Sequence, residues 1–207
     1  GGNKKVNDDA GAAFQSSPSV AIDGSGNFMV VWEDHRNSYH NSDIYAQQYT
    51  SSGIARGANT NVVDDAGTAH QFSRSIAMDG SGNFAIVWYD YRNGNYDIYY
   101  QRYNSSGVAQ GVNTKVNDDV GTASQYPSIL MDVSGNLVIV WYDYRNGNSD
   151  IYFQRYNSSG NAQGVNIKVN DDSVTANQQH PLISMDLSGN FVVVWVDGRN
   201  GYSDIYL

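Results

Sequence analysis

The chain has no cysteine, which excludes a disulfide scaffold, thiolate metal sites and a cysteine nucleophile together. Proline is scarce, at three residues against 21 glycines, so tight turns rather than a proline-rich linker break up the chain. Basic residues are few: 12 Lys and Arg face 21 acids, for a formal charge of −9 and a pI of about 4.6. That balance argues against a nucleic-acid backbone or an anionic membrane as the main partner. No apolar run approaches the ~20 residues of a membrane helix; the longest, such as Phe191–Val196 (FVVVWV), are strand-sized. No signal peptide is read at the start, GGNKKV, and no segment carries a helical period. The G-x-S-x-G, H-E-x-x-H and phosphate-loop motifs are absent as well.

What the chain does have is aromatic and repetitive. It holds 16 Tyr and four Trp, with 40% hydrophobic residues over 207 positions, enough for a sizeable core. Trp32, Trp88, Trp141 and Trp195 recur at spacings of 53 to 56 residues. The tripeptide DIY recurs at Asp43, Asp97, Asp150 and Asp204, and an acidic pair at Asp8-Asp9, Asp64-Asp65, Asp118-Asp119 and Asp171-Asp172. The first copy carries a two-residue insertion in Glu33–Tyr45.

Each unit divides into four short strands. In the third unit these are Pro127–Asp132, Leu137–Asp143, Asp150–Tyr156 and Val165–Asn170. The second opens on a continuous apolar run, which predicts burial on both faces, with its Trp packed between neighbouring sheets. Four strands per unit, repeated, are the signature of a β-propeller. The expected fold is all-β: a closed four-bladed propeller forming one domain over residues 1–207. The repeats run over about 10–65, 66–119, 120–172 and 173–207 plus 1–9. The N-terminal strand, Gly1–Asp9, is expected to complete the last blade and hide its edge.

In this topology the loops DYRNGNYD and the blade-to-blade segments emerge on one face. Asn93-Gly94 is a turn dipeptide, and Asp90, Asp97 and Arg92 can brace the corner. The same loops also offer a binding face. Tyr91, Arg92, Asp97, Tyr99, Tyr144, Arg145, Asp150, Tyr152, Arg36, Asp43, Arg199 and Asp204 are candidate ligand-binding residues. Tyr faces beside polar donors and acceptors suit sugar rings, and repetition would supply avidity. Asp90, Asn93, Asp97, Asp143, Asn146 and Asp150 are candidate ligands for Ca²⁺, an ion that takes oxygen donors. The turn DGSGN at Asp23 and Asp79 looks like a calcium turn but reads more simply as a hairpin.

Twenty of the 21 acids are five positions repeated four times. Glu33 is the exception, standing where the other copies have Tyr89, Tyr142 and Val196. With His35 and His40 in the inserted loop it is the best asymmetric candidate for acid/base or metal chemistry. His70 and His180 fall at different positions of corresponding segments and form no repeated site.

The repeated stretch MDGSGNFAIVWYDYRNGNYDIYYQRYNSSG resembles bacterial TolB-like, WD-repeat-like propeller units, over all four copies. The resemblance implies a propeller exported from the cytoplasm, extracellular or periplasmic, that binds or scaffolds more often than it catalyses. The expectation is therefore a non-enzymatic, lectin-like module whose partner is a glycan or a protein surface. A structural or protein-interaction domain is the alternative, and a hydrolase built on the Glu33–His40 loop the third reading.

Overall fold

The computed structural model describes residues 2–38, 41–64, 69–119, 124–171, 175–186 and 188–207. His40, Asp65 and Asp172 lie outside the described residues. The described residues form strands and turns without a helix, in four antiparallel sheets. Blade 1 holds β1 (Gln15–Ile22), β2 (Phe28–Ser38), β3 (Asn41–Tyr49) and β4 (Ala55–Asn61). Blade 2 holds β5 (Gln71–Met78), β6 (Phe84–Asp90), β7 (Asp97–Tyr103) and β8 (Ala109–Lys115). Blade 3 holds β9 (Ser124–Met131), β10 (Leu137–Asp143), β11 (Asp150–Tyr156) and β12 (Ala162–Lys168). Blade 4 holds β13 (Gln178–Met185), β14 (Phe191–Asp197) and β15 (Asp204–Tyr206). Strands pair in chain order within each sheet, and the first strands β1, β5, β9 and β13 lie side by side on the inner edge.

The doubly buried second strand is as the sequence implies: every residue of β10 is buried. The core sits between blades, in three layers. Val87 and Ile98 of blade 2, for example, pack on Ile139 and Trp141 of blade 3. Trp88 and Trp141 are both fully buried in such layers. The hairpin turns follow from their glycines: Gly26, Gly82, Gly135 and Gly189 all take φ between 82° and 85°, a region only glycine occupies freely.

The expected ring closure is not what the structure shows. The sheet of blade 4 ends at β15, and residues 2–9 form no strand on it. They dock on blade 1 instead. The Asp8 backbone N–H donates to Asn59 Oδ1 at 2.7 Å, and Asn59 Nδ2 donates to the Val6 carbonyl at 3.2 Å. The propeller-like arrangement of antiparallel sheets stands; closure by the N-terminal strand does not.

Truncating Trp141 to Ala should destabilise the chain by about 3–5 kcal/mol, the usual cost of emptying a large aromatic site. Urea unfolding of the variant against the parent measures it.

Candidate functional site

The repeated corner is a closed hydrogen-bonding unit. In blade 2, Asp90 Oδ1 accepts the Arg92 backbone N–H at 2.8 Å. Its Oδ2 accepts Trp88 Nε1 at 3.1 Å, Arg92 Nε at 3.0 Å and Nη2 at 2.6 Å. The remaining Arg92 Nη1 reaches Asp64, from the segment after blade 1, at 2.9 Å. The guanidinium lies over the Tyr99 ring, 4.3 Å from its centroid. Blades 1, 3 and 4 repeat this with Asp34, Arg36 and Asp8; Asp143, Arg145 and Asp118; and Asp197, Arg199 and Asp171. Arg36, Arg145 and Arg199 stack in turn on Tyr45, Tyr152 and Tyr206.

The Asp of DIY is engaged just as fully in the inner blades. Asp97 accepts from Asn93, Asn95 and Asn117 and pairs with Lys115 at 2.8 Å. Asp150 accepts from Asn146, Asn148 and Asn170 and pairs with Lys168 at 2.9 Å. Asp43 accepts from Asn37, and the exposed Asp204 from Asn200. Tyr91 is exposed and Tyr144 half-buried, whereas Tyr99 and Tyr152 are buried with their hydroxyls bonded to Asn93 and Asn146. Of the sequence-predicted ligand-binding residues, Arg36, Arg92, Arg145, Arg199, Asp97 and Asp150 thus serve as braces.

Calcium does not fit the sites expected of it. The carboxylates of Asp90, Asp97, Asp143 and Asp150 are buried and already matched to Arg or Lys. Among the described residues no three acidic or His side chains cluster to hold a metal ion. The DGSGN turns are Asx turns: Asp23 Oδ1 accepts the Ser25 and Asn27 backbone N–H groups, each at 2.8 Å, and Oδ2 accepts Asn27 Nδ2. Asp79, Asp132 and Asp186 repeat the pattern.

The chain's own asymmetry lies at the inner edge. All three prolines, Pro18, Pro127 and Pro181, occupy one position of β1, β9 and β13. An inner edge strand tolerates proline because it needs no ladder N–H there. The residues before them, Ser17, Tyr126 and His180, take φ of 50°, 53° and 54°. Non-glycine residues pay about 1–3 kcal/mol for such backbone, and it concentrates at functional sites. The sheet register slips beside each one, a bulge that redirects the side chain.

The redirected rings meet. Tyr126 lies 5.0 Å from His180, 5.4 Å from Tyr142 and 6.2 Å from Tyr89, centroid to centroid. Tyr126 and His180, with Ser75, Ser128, Pro127, Pro181 and Leu182, line an open cavity of about 340 Å³ shared by blades 2, 3 and 4. This is the size range of small-ligand pockets. Glu33 stands in blade 1 at the register position of Tyr89 and Tyr142. It is buried, and among the described residues its hydrogen-bond partner is Ser16 Oγ, at 2.7 Å. His35 lies nearby in sequence, its ring 5.8 Å from Phe14. His70 and His180 do occupy different positions: the His70 carbonyl accepts Tyr91 N–H where the Asn177 carbonyl accepts Gly198 N–H. Sequence reasoning missed the pocket; the signal that could have found it was the alignment of the three prolines.

No protein-family model and no curated protein sequence matches the chain. Solved structures do share its fold. An endo-arabinase from Bacteroides thetaiotaomicron matches at a TM-score of 0.53 and 16% identity, over 91% of this chain and 72% of that one. An α-L-arabinanase from Penicillium chrysogenum, solved with arabinobiose, matches at a TM-score of 0.60 and 14% identity, over 88% of this chain and 57% of that one. The shared feature is a propeller-like all-β fold, not TolB-like or WD-repeat units in particular. The expectation of a non-enzymatic, lectin-like module is corrected by these neighbours: the solved proteins that share the fold are themselves an endo-arabinase and an arabinanase, not lectins.

The corner also sets how the chain responds to acid. Burial alone would raise the Asp197 carboxyl, but donors from Arg199, Trp195 and Gln178 outweigh it and hold it well below the usual range. Asp34 and Asp150 are lowered by the same balance. A lowered folded pKa gives stability that is present above the unfolded value, near ~4, and lost as pH falls through the folded one. The melting temperature should therefore fall steadily below about pH 4. Asp197→Asn should cost about 3 kcal/mol at pH 7 and flatten that acid limb, which thermal scans across pH will record. Chelator should leave the melting temperature of the parent chain unchanged in the same scans; a drop would restore a bound cation.

Proposed function

We propose that the chain is a glycoside hydrolase that binds a polymeric glycan along the inner edge, in the aromatic cavity of blades 2 to 4, and that Glu33, at the matching register position of blade 1, is the first acid/base group to test. The observation that carries this reading is the convergence of strained, proline-fixed positions, Tyr126 and His180, on one cavity. The solved propellers of similar fold, an endo-arabinase and an arabinanase holding arabinobiose, make arabinan the first substrate to test. Tyr126 and His180 offer ring faces and polar tips, the mixture that sugar rings take. Glycosidases act through carboxyl groups that flank the scissile bond. Glu33 is the acid outside the fourfold set, and no Arg or Lys neutralises it among the described residues. Export from the cytoplasm accords with this reading, since polymeric glycans are met outside the cell.

The test is release of reducing sugar from arabinan and a panel of other polysaccharides. The parent should release oligosaccharides from one of them. Glu33→Gln should lose at least about 100-fold in kcat, as expected for an acid/base group. Tyr126→Ala should raise KM while the fold, read by circular dichroism, stays intact. Unchanged turnover in Glu33→Gln would remove Glu33 from the chemistry, and inactivity on every polysaccharide would remove the hydrolase reading.

A further inference from the structure

Blade 2 breaks the repeat at one more position. Ser42, Ser149 and Ser203 stand immediately before the DIY aspartate in blades 1, 3 and 4, and blade 2 has Tyr96 there. The serine has a scaffold task. Ser42 Oγ donates to the Gln71 carbonyl of blade 2 at 2.5 Å, and Ser149 Oγ donates to Asn177 Oδ1, from the segment before blade 4, at 3.2 Å. Each ties its blade to the next, so the scaffold gives no reason for a tyrosine at this position.

Tyr96 turns to other rings. Its centroid lies 5.0 Å from Tyr91, 5.5 Å from Tyr89 and 6.0 Å from Phe72, edge-on to the last two. Phe72 and Tyr89 stack on each other at 4.9 Å. These are not core rings. Tyr91 is 43% exposed, and Phe72, Tyr89 and Tyr96 are half-buried, whereas Trp88 and Tyr99 of the same blade are buried. Blade 2 packs on blade 1 on one side and on blade 3 on the other, so the opening belongs to its loop face and not to an uncovered sheet. A contiguous group of aromatic faces left open to water marks a binding surface. The group also continues the inner cavity. Tyr89 stacks on Tyr126 at 6.2 Å across the blade boundary, and Tyr126 lines the cavity. Tyr126, Tyr89, Tyr96 and Tyr91 thus follow one another in steps of 5.0 to 6.2 Å, from the inner edge of blade 3 to the loop between β6 and β7.

We propose that Tyr91 and Tyr96 form a second sugar subsite, which takes further units of the same glycan chain as they leave the cavity. The inference rests on the hydrolase reading for the nature of the ligand, a polymer of sugar units. A sugar ring turns weakly positive C–H groups to the negative face of an aromatic ring, and its hydroxyls meet the phenol O–H groups at the ring tips. A ligand confined to the cavity would not touch Tyr91, so the run of open rings suits a chain and not a single sugar. Continuity with the cavity selects units of that chain over an unrelated ligand. Blade 3 lacks the corresponding ring: Ser149 stands in place of Tyr96, and Tyr144, the counterpart of Tyr91, is half-buried. The glycan therefore leaves the cavity over blade 2.

The test is titration calorimetry of the whole chain with disaccharides and hexasaccharides of arabinan and of the other polysaccharides. In one series the hexasaccharide should bind about tenfold more tightly than the disaccharide, the gain expected of added aromatic contacts. Tyr96→Ser installs the residue that the other blades carry, so the fold is kept, and Tyr91→Ala changes an exposed side chain. Each should remove most of that gain. Equal binding at both lengths, or no binding in any series, overturns the proposal, and so does a gain that survives in both variants. The two readings fail separately. A chain that shows the gain but cleaves none of the glycans loses the hydrolase reading and keeps the subsite. One that cleaves a polymer, with the gain intact in both variants, loses the subsite and keeps the hydrolase.

Discussion

One guanidinium per blade holds the array together. Each Arg spends one side of its fork on the Asp two residues earlier and the other on an Asp from the segment that precedes its own blade. The near Asp also takes the indole N–H of the buried Trp, so core, corner and inter-blade connector meet at one carboxylate. Such a carboxylate is 0% exposed. A buried charge of this kind is tolerable only when paired and hydrogen-bonded on all sides. That requirement fixes Trp, Asp, Arg and Tyr together, which is why the words around them recur almost unchanged. Repeats this alike lock together through the same contact at every described junction.

The fold is legible in the sequence because its signals are local. The apolar run of Leu137–Asp143 shows a strand buried on both faces, and the Asp-x-Ser-Gly-Asn and Asn-Gly turns show where strands reverse. The corner residues mislead by their chemistry. Asp, Asn, Arg and Tyr are the residues that bind sugars or calcium on open loops, and the sequence does not say that Lys115 and Asn117, ~20 positions on, come back to occupy Asp97. Ring closure misleads for a related reason. The N-terminal segment does have the composition of an outer strand, but composition does not say that Asn59 and Arg36 of blade 1 hold it.

The inner cavity is hidden by the opposite problem. Its residues do not repeat: Tyr126 and His180 share with Ser17 of blade 1 a backbone conformation and a following proline, but not a side chain. A search for recurring chemistry passes over them. Backbone strain repeated with varied side chains separates scaffold from site here, since the scaffold positions keep both backbone and side chain from blade to blade. Glu33 follows the same logic, as the single acid outside the fourfold pattern, placed where two other blades carry Tyr.

The corners, then, are braces, and the ligand chemistry proposed for this chain belongs to the inner edge. A crystal of the chain soaked with arabinan oligosaccharides tests that division directly. The predicted result is sugar density against Tyr126 and His180, with the Arg92–Asp90 and Arg145–Asp143 pairs undisturbed. Density seated on those pairs or on Asp97 and Asp150, with the inner cavity empty, would contradict it.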